Sequence, residues 1–453
     1  MPANLTLETL RDAVASGEID TVLTCVCDMQ GRLMGKRFHA QHFLTAGHEG
    51  THGCNYLLAL DAEMWTVPGY RSASWEKGYG DYIHKPDLTT LRRAPWLPGT
   101  AMVMADFLDH HGVPVAHAPR HVLRRQVERA RALGLEPMMA TELEFFLFEE
   151  SFEQLWDSGY RRMTPVVRYN NDYGIFGTSK EEAVMRPLRN VLFAAGIPVE
   201  NTKGEAEAGQ EEINIRYSDA IDAADTHSIV KMVTKEIAQQ QGRSVTFMAK
   251  YDTNRAGSSS HIHQSLWKDG RNAFHDPGAP HGMSALMRSY LAGLLAHAAD
   301  VTYFLAPNVN SYKRFTVGLF APTKAVWSRD NRTAGYRVVG EDTKAVRVEC
   351  RVGGADLNPY LALAAQLAAG LDGIEKGMEL EPEMTGDMYA AQDVREVPRT
   401  LRDAAVALNA SGMLRSAMGD DVVDHYVHAA RWEIAESDRL VTDVERLRGF
   451  ERL

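Results

Sequence analysis

The sequence predicts an α+β protein with a small β-rich N-terminal domain and a larger α+β C-terminal domain. Three observations carry that prediction. At 453 residues the chain exceeds what one ordinary hydrophobic core supports. Residues 21–106 carry strand-like runs among Gly-, Pro- and aromatic-rich connections, with little helical period. Beyond residue 119 the pattern changes, and helical periodicity separates the strand-like segments.

Taken in order, residues 6–16 read as an amphipathic helix stopped by Gly17. Strands follow at 21–28 and 33–38, joined by a turn at Gln30-Gly31, then a second β-like region over 54–106. A loop-like stretch at 106–119 places the boundary, giving domains 1–112 and 113–453. Pro119 opens a helix that Gly134 closes, and a strand covers 137–148. Ser179 and Glu182 are spaced as a capping box for a helix ending near Gly196. A long amphipathic helix spans 219–241 before Gly242. Further helices fit 283–300, 359–376 with Asn358 as cap, and the segments after Thr400.

Composition narrows the function. Apolar residues make up 45% and charged residues 24%, values of a soluble globular chain rather than a disordered or collagen-like one. With 60 acids against 49 basic residues the net charge is −11, which argues against general nucleic-acid binding. The most apolar stretches are broken by His297, Asp300 and Gln366, so no membrane span is expected. The first residues lack a basic-then-apolar leader, and only four cysteines occur, which points to the cytoplasm. Cys25-x-Cys27 has no matching second pair, so buried thiols are expected rather than a zinc site or disulfides.

The chemistry lies in strand-like segments whose residues two apart share a face. Glu142 and Glu144 oppose Leu143 and Phe145. His261, His263 and Ser265 oppose Ile262 and Leu266. Arg347, Glu349 and Arg351 alternate with Val346, Val348, Cys350 and Val352. Any one such face could simply meet solvent, but three of them rich in Glu, His and Arg point to a shared cavity. The loop KGEAEAGQEE (203–212) adds Glu205 and Glu212. Five gathered carboxylates repel one another unless cations neutralise them. Oxygen ligands with a single imidazole suit Mg²⁺ or Mn²⁺ better than zinc. Interleaved arginines suggest an anion that gains charge, as in phosphoryl transfer. There is no P-loop and no dinucleotide fingerprint.

With these residues in view, the chain resembles the glutamine synthetase family over about 20–453. The resemblance rests on six ordered blocks: TELEF (141–145), GEAEAGQEE (204–212), HIHQS (261–265), NSYKRF (310–315), NR (331–332) and RVECR (347–351). It implies a β-grasp N-terminal domain and a catalytic domain with a curved antiparallel sheet flanked by helices. It also implies a dodecamer of two hexameric rings with shared active sites. By resemblance, Glu144, Glu205 and Glu212 hold the metal nearest glutamate, and Glu142, His261 and Glu349 the metal nearest the ATP phosphates, with two or three ions per site. Arg314, Arg351 and Gly257 belong to the amino-acid substrate. Arg332, Arg337 and Arg347 face ATP and the transferred phosphoryl group, with His263, Ser265 and Lys344 also on the ATP side. Arg332, Arg347 and Arg351 are the expected catalytic residues. The implied reaction phosphorylates the γ-carboxylate of glutamate with ATP, and an amine then displaces phosphate. Glu349→Ala or Arg351→Ala is expected to abolish turnover and leave the fold intact.

The departures from the family bear on the amine. Phe320 stands where the family carries a glutamate that helps bind ammonium. The stretch 66–81 lacks the family's Asp-Gly-Ser-Ser loop, and Ala256-Gly257 replaces its Asn-Gly. Ammonium is best held by buried carboxylates, whereas a phenyl wall suits an alkylamine. The runs at 28–37, 56–61 and 67–81 resemble γ-glutamylethanolamide synthetases, with γ-glutamylpolyamine synthetases as runner-up. Ethanolamine would need one hydroxyl partner, and a polyamine would need distant acids. Tyr56, Asp61, Glu63, Tyr70 and Trp75 are further wall candidates, although the aromatics fit a domain core equally well. An ammonium-using glutamine synthetase, a non-catalytic homologue and a dinuclear amide hydrolase are the rivals. Tyr389 is expected to be an ordinary surface-loop tyrosine.

Overall fold

The computed structural model describes residues 4–453, so the first three residues of the expected N-terminal domain lie outside it. A helix at Leu7–Ala15 opens on a Thr6–Thr9 capping box. It packs through Leu10 and Ala13 into a small core with Val22, Phe43 and Val103. The first sheet joins strands Leu33–His39, Thr21–Cys27, Thr100–Leu108, Asp81–Pro86 and Thr51–Cys54, in that spatial order. Thr21–Cys27 and Thr100–Leu108 run parallel at its centre, and the other pairings along that order are antiparallel. The β-like region expected at 54–106 is thus interrupted. Between Cys54 and Asp81, Gly- and Pro-rich chain forms short 3₁₀ turns and loops instead.

The second sheet is larger. Its main path runs Trp327–Arg329, Tyr336–Val339, Arg347–Cys350, Ser260–Lys268, Glu136–Phe148, Gln210–Ile215 and Val199–Gly204. All neighbours on it are antiparallel except the first two strands. Helices Ala220–Gln240 and Pro359–Glu375 pack behind it, and a continuous core links their apolar faces to the back of the first sheet. We propose a domain division between residues 112 and 113, because the first sheet ends at Leu108 and the next helix opens at Pro119.

Three local expectations are corrected. Ser179 does not cap the helix Glu182–Ala194; its hydroxyl donates to Ile175 O at 3.0 Å, closing the preceding turn, and Glu182 pairs with Arg189 instead. The stretch expected as one helix over 283–300 is two, Ala285–Ala296 and Ala298–Leu305. The break falls at His297, whose ring reaches Asp372 at 2.8 Å and Asp300 at 3.2 Å. The long helix Ala220–Gln240 is amphipathic only in its second half, where Lys235, Gln239 and Gln240 are exposed; its first half is buried over the unbroken run 223–230. Its Asp225 is matched there by Arg120 at 3.0 Å and Tyr360 at 2.6 Å, so a buried charge keeps partners.

Cys25, Cys27 and Cys350 are buried free thiols, and Cys54 is free and half-buried. Among the described residues no helix is long and apolar enough to cross a membrane.

Candidate active site

Strand register assembles the site. The central strand Glu136–Phe148 places Glu142 opposite His261 on one side and Glu144 opposite Glu212 on the other. On the next strand pair His263 lies opposite Glu349, and Arg337 lies opposite Glu349 from the far side. Because the side-chain period in a strand is two, these register positions bring the charged faces of separate segments together.

Two groups of metal-ligating side chains converge among the described residues: Glu142, His261 and Glu349, and Glu144, Glu205 and Glu212. In each, one ligand atom per residue lies within 4.8 Å of the others. In the first group, His261 Nδ1 approaches Glu142 Oε2 at 3.0 Å and Glu349 Oε1 at 3.5 Å. Burial works against the Glu142 charge, but hydrogen bonds from His261 and His263 outweigh it and hold the carboxyl far below its usual range. Glu349 is 0% exposed. Burial again opposes its charge, yet Arg351 outweighs it and holds the carboxyl at about 2. Arg337 Nη1 also donates to Glu349 Oε2 at 3.0 Å.

The second group carries less positive charge. Burial, then the neighbouring Glu205, pushes Glu144 up to about 8. Burial, then Glu142, Glu205 and Glu144, pushes Glu212 up to about 9. Glu144 Oε2 accepts from Ser259 N at 2.7 Å and Gln210 Nε2 at 3.2 Å, and Glu212 Oε1 accepts from Asn214 at 2.7 Å. Glu205 pairs with Lys203. Crowded carboxylates that resist ionisation alone are what a divalent cation relieves. Oxygen-dominated donors with one imidazole fit Mg²⁺ or Mn²⁺.

Beside the first group lies a cavity of about 490 Å³ lined by Glu142, His263, Ser265, Trp267, Lys344 and Arg347, among others. Arg347 Nε donates to His263 Nδ1 at 3.1 Å. The Ser265 hydroxyl accepts from the Trp267 indole at 3.1 Å. Arg332 and Arg337 do not line this cavity: Arg332 is exposed, and Arg337 is engaged by Glu349 and Asp330. Arg314, 2% exposed, donates to Ser259 Oγ at 3.1 Å and to the carbonyls of Arg351 and Val352. Gly257 packs against it, since a Cβ there would fall 2.3 Å from Arg314 Cγ. Phe320 is 52% exposed at φ +52°, a left-handed conformation costly for a bulky side chain.

Some features were not legible in sequence. The aromatic wall candidates divide: Tyr70 is buried against His425 and His428, while Tyr56 and Trp75 are exposed. Tyr389 is not an ordinary surface tyrosine, because its hydroxyl is buried. Lys203 and Gln210 join the carboxylate group from the strand pair whose turn carries Glu205; only the density of acids around them hinted at a role.

Residues 116–448 match the family description "Glutamine synthetase, catalytic domain". The chain is 49% identical to gamma-glutamylethanolamide synthetase GlnA4 of Streptomyces coelicolor over 451 residues, covering 99% of this chain and 96% of that protein. It is 36% identical to glutamate–isopropylamine ligase of a Pseudomonas species, covering 97% and 96%. Among solved structures, ligand-free GmaS superposes with a TM-score of 0.85 at 26% identity, covering 97% of this chain and 98% of that one. The chain belongs to the glutamine synthetase family of carbon–nitrogen ligases.

Proposed function

We propose that this chain uses ATP to join the γ-carboxylate of glutamate to a small organic amine, ethanolamine in the first place, giving γ-glutamylethanolamide through γ-glutamyl phosphate. The observation that carries the reading is the convergence of two ligand groups along one sheet and its adjoining turn, the first of which borders, through Glu142, the cavity rimmed by His263, Ser265, Lys344 and Arg347. In this reading Glu142, His261 and Glu349 hold the ion nearest the phosphates, and Glu144, Glu205 and Glu212 hold the ion nearest glutamate. The ions, when bound, neutralise phosphate and carboxylate charge and polarise the phosphoryl oxygens. Arg347 and Arg332 offset charge on the transferring group, and Arg351 and Arg314 border the amino acid. A carboxylate is a poor electrophile until its oxygen becomes a leaving group, which is what phosphorylation supplies.

The amine assignment rests on Phe320 and on the relatives. In this reading the exposed Phe320 ring, standing where the family carries a carboxylate that favours ammonium, would face the amine as a phenyl wall. The Streptomyces relative is named for ethanolamide formation and the Pseudomonas relative for isopropylamine, both organic amines. A cytoplasmic dodecamer of two hexameric rings is the assembly we infer by family likeness. The test is phosphate release and amide mass across ammonium, ethanolamine, isopropylamine, putrescine and spermine with glutamate and ATP. Ethanolamine should give the highest kcat/KM. Preference for a polyamine would shift the amine class, and efficient turnover of ammonium alone would refute the amine-ligase reading.

A further inference from the structure

The three carboxylates of the second group are not held alike. Glu144 is oriented by a backbone amide and the Gln210 side chain, and Glu212 by the Asn214 amide, all neutral donors. Glu205 is held by a cation. The Lys203 ammonium pairs with Glu205 Oε1, lies 3.2 Å from Asp172 Oδ1, and sits 4.4 Å from the centre of the Tyr173 ring. The Lys203 side chain is 17% exposed and that of Glu205 18%, so water screens the pair only partly. An anion-lined, aromatic-faced cradle of this kind fits an alkylammonium well.

We propose that Lys203 is a built-in counter-cation of the Glu144–Glu205–Glu212 group, which a divalent ion must displace from Glu205 in order to bind with all three ligands. This rests on reading the group as a metal site. Two positive centres sharing one carboxylate repel strongly in a partly dry site. Lys203 therefore weakens the ion's affinity and stabilises the ion-free chain. Asp172 and Tyr173 give the displaced ammonium a second resting place on the loop beside the site. Among the described residues no ion pair joins a basic side chain to Glu144 or Glu212; the Lys203 charge also reaches Glu212, its partner across the strand pair, but the contact that must break is the one with Glu205.

The test is Mn²⁺ binding, followed by electron paramagnetic resonance of the free ion, on the full metal-free chain. Lys203→Met should tighten one class of Mn²⁺ site by about tenfold, and Lys203→Arg, which keeps the charge, should remain near the unaltered chain. An unchanged or weaker affinity in Lys203→Met overturns the proposal, since Lys203 would then merely orient Glu205. A second measurement needs no substitution. Acylation of Lys203 in the unaltered chain, read by mass spectrometry, should rise on adding Mg²⁺, and unchanged or reduced labelling overturns the proposal. If the unaltered chain binds no Mn²⁺ at all, the metal reading fails first and this inference falls with it.

Discussion

His263 bridges the Glu142 carboxylate and a cavity arginine: its Nε2 lies 2.7 Å from Glu142 Oε1, and its Nδ1 accepts from Arg347 Nε at 3.1 Å. Because Nδ1 accepts, the ring proton sits on Nε2 and points at Glu142. The imidazole thus orients Glu142 on one side and Arg347 on the other. His263→Ala should lower amide formation or metal affinity by roughly 10–100-fold, the usual loss when the partner of a ligand is removed. Steady-state kinetics with Mn²⁺ calorimetry would show it, and wild-type values for both would contradict the bridging role.

Glu349 is buried between Arg337 and Arg351, which changes what its removal means. The sequence suggested that Glu349→Ala would spare the fold. The structure indicates otherwise, because two guanidinium groups would lose their shared counter-ion. The expected cost is about 3–5 kcal/mol of stability as well as turnover. Urea denaturation of the metal-free protein measures it, and a loss below about 1 kcal/mol would argue against this pairing.

Glu144 and Glu212 carry carboxyls raised from 4.5 to about 8 and about 9. A raised acid favours folding while protonated, so this contribution is complete below about pH 4 and is lost as pH climbs through about 8 to 9. The metal-free protein should therefore melt at progressively lower temperature between pH 6 and 9, and saturating Mg²⁺ should flatten that decline. At pH 7 ion binding should release protons, measurable by calorimetry in buffers of different ionisation enthalpy. Binding without proton release would show that these carboxyls are already charged.

Phe320 tests the amine. Phe320→Glu should raise the kcat/KM for ammonium relative to ethanolamine by at least about tenfold, because a carboxylate rewards a small cation that a phenyl wall does not. An unchanged ratio would mean that Phe320 does not border the incoming amine.

Which side chains share a face was legible in the chain alone. Glu142 with Glu144, His261 with His263, and Arg347 with Glu349 follow from the strand pleat, a local property of covalent geometry. The sequence also marked Thr400 and Asn358 as helix starts, since both cap with their own side chains. It misjudged Ser179, whose spacing from Glu182 was right but whose hydroxyl had a nearer carbonyl at Ile175. It could not foresee that the first half of the helix Ala220–Gln240 would be enclosed, because Asp225 finds Arg120 only across 105 residues. Tertiary structure alone decided which faces meet: that Glu142 lies opposite His261, that Glu144 lies opposite Glu212, and that Arg337 lies opposite Glu349. Register is set by hydrogen bonds between strands distant in the chain, and no local periodicity encodes it.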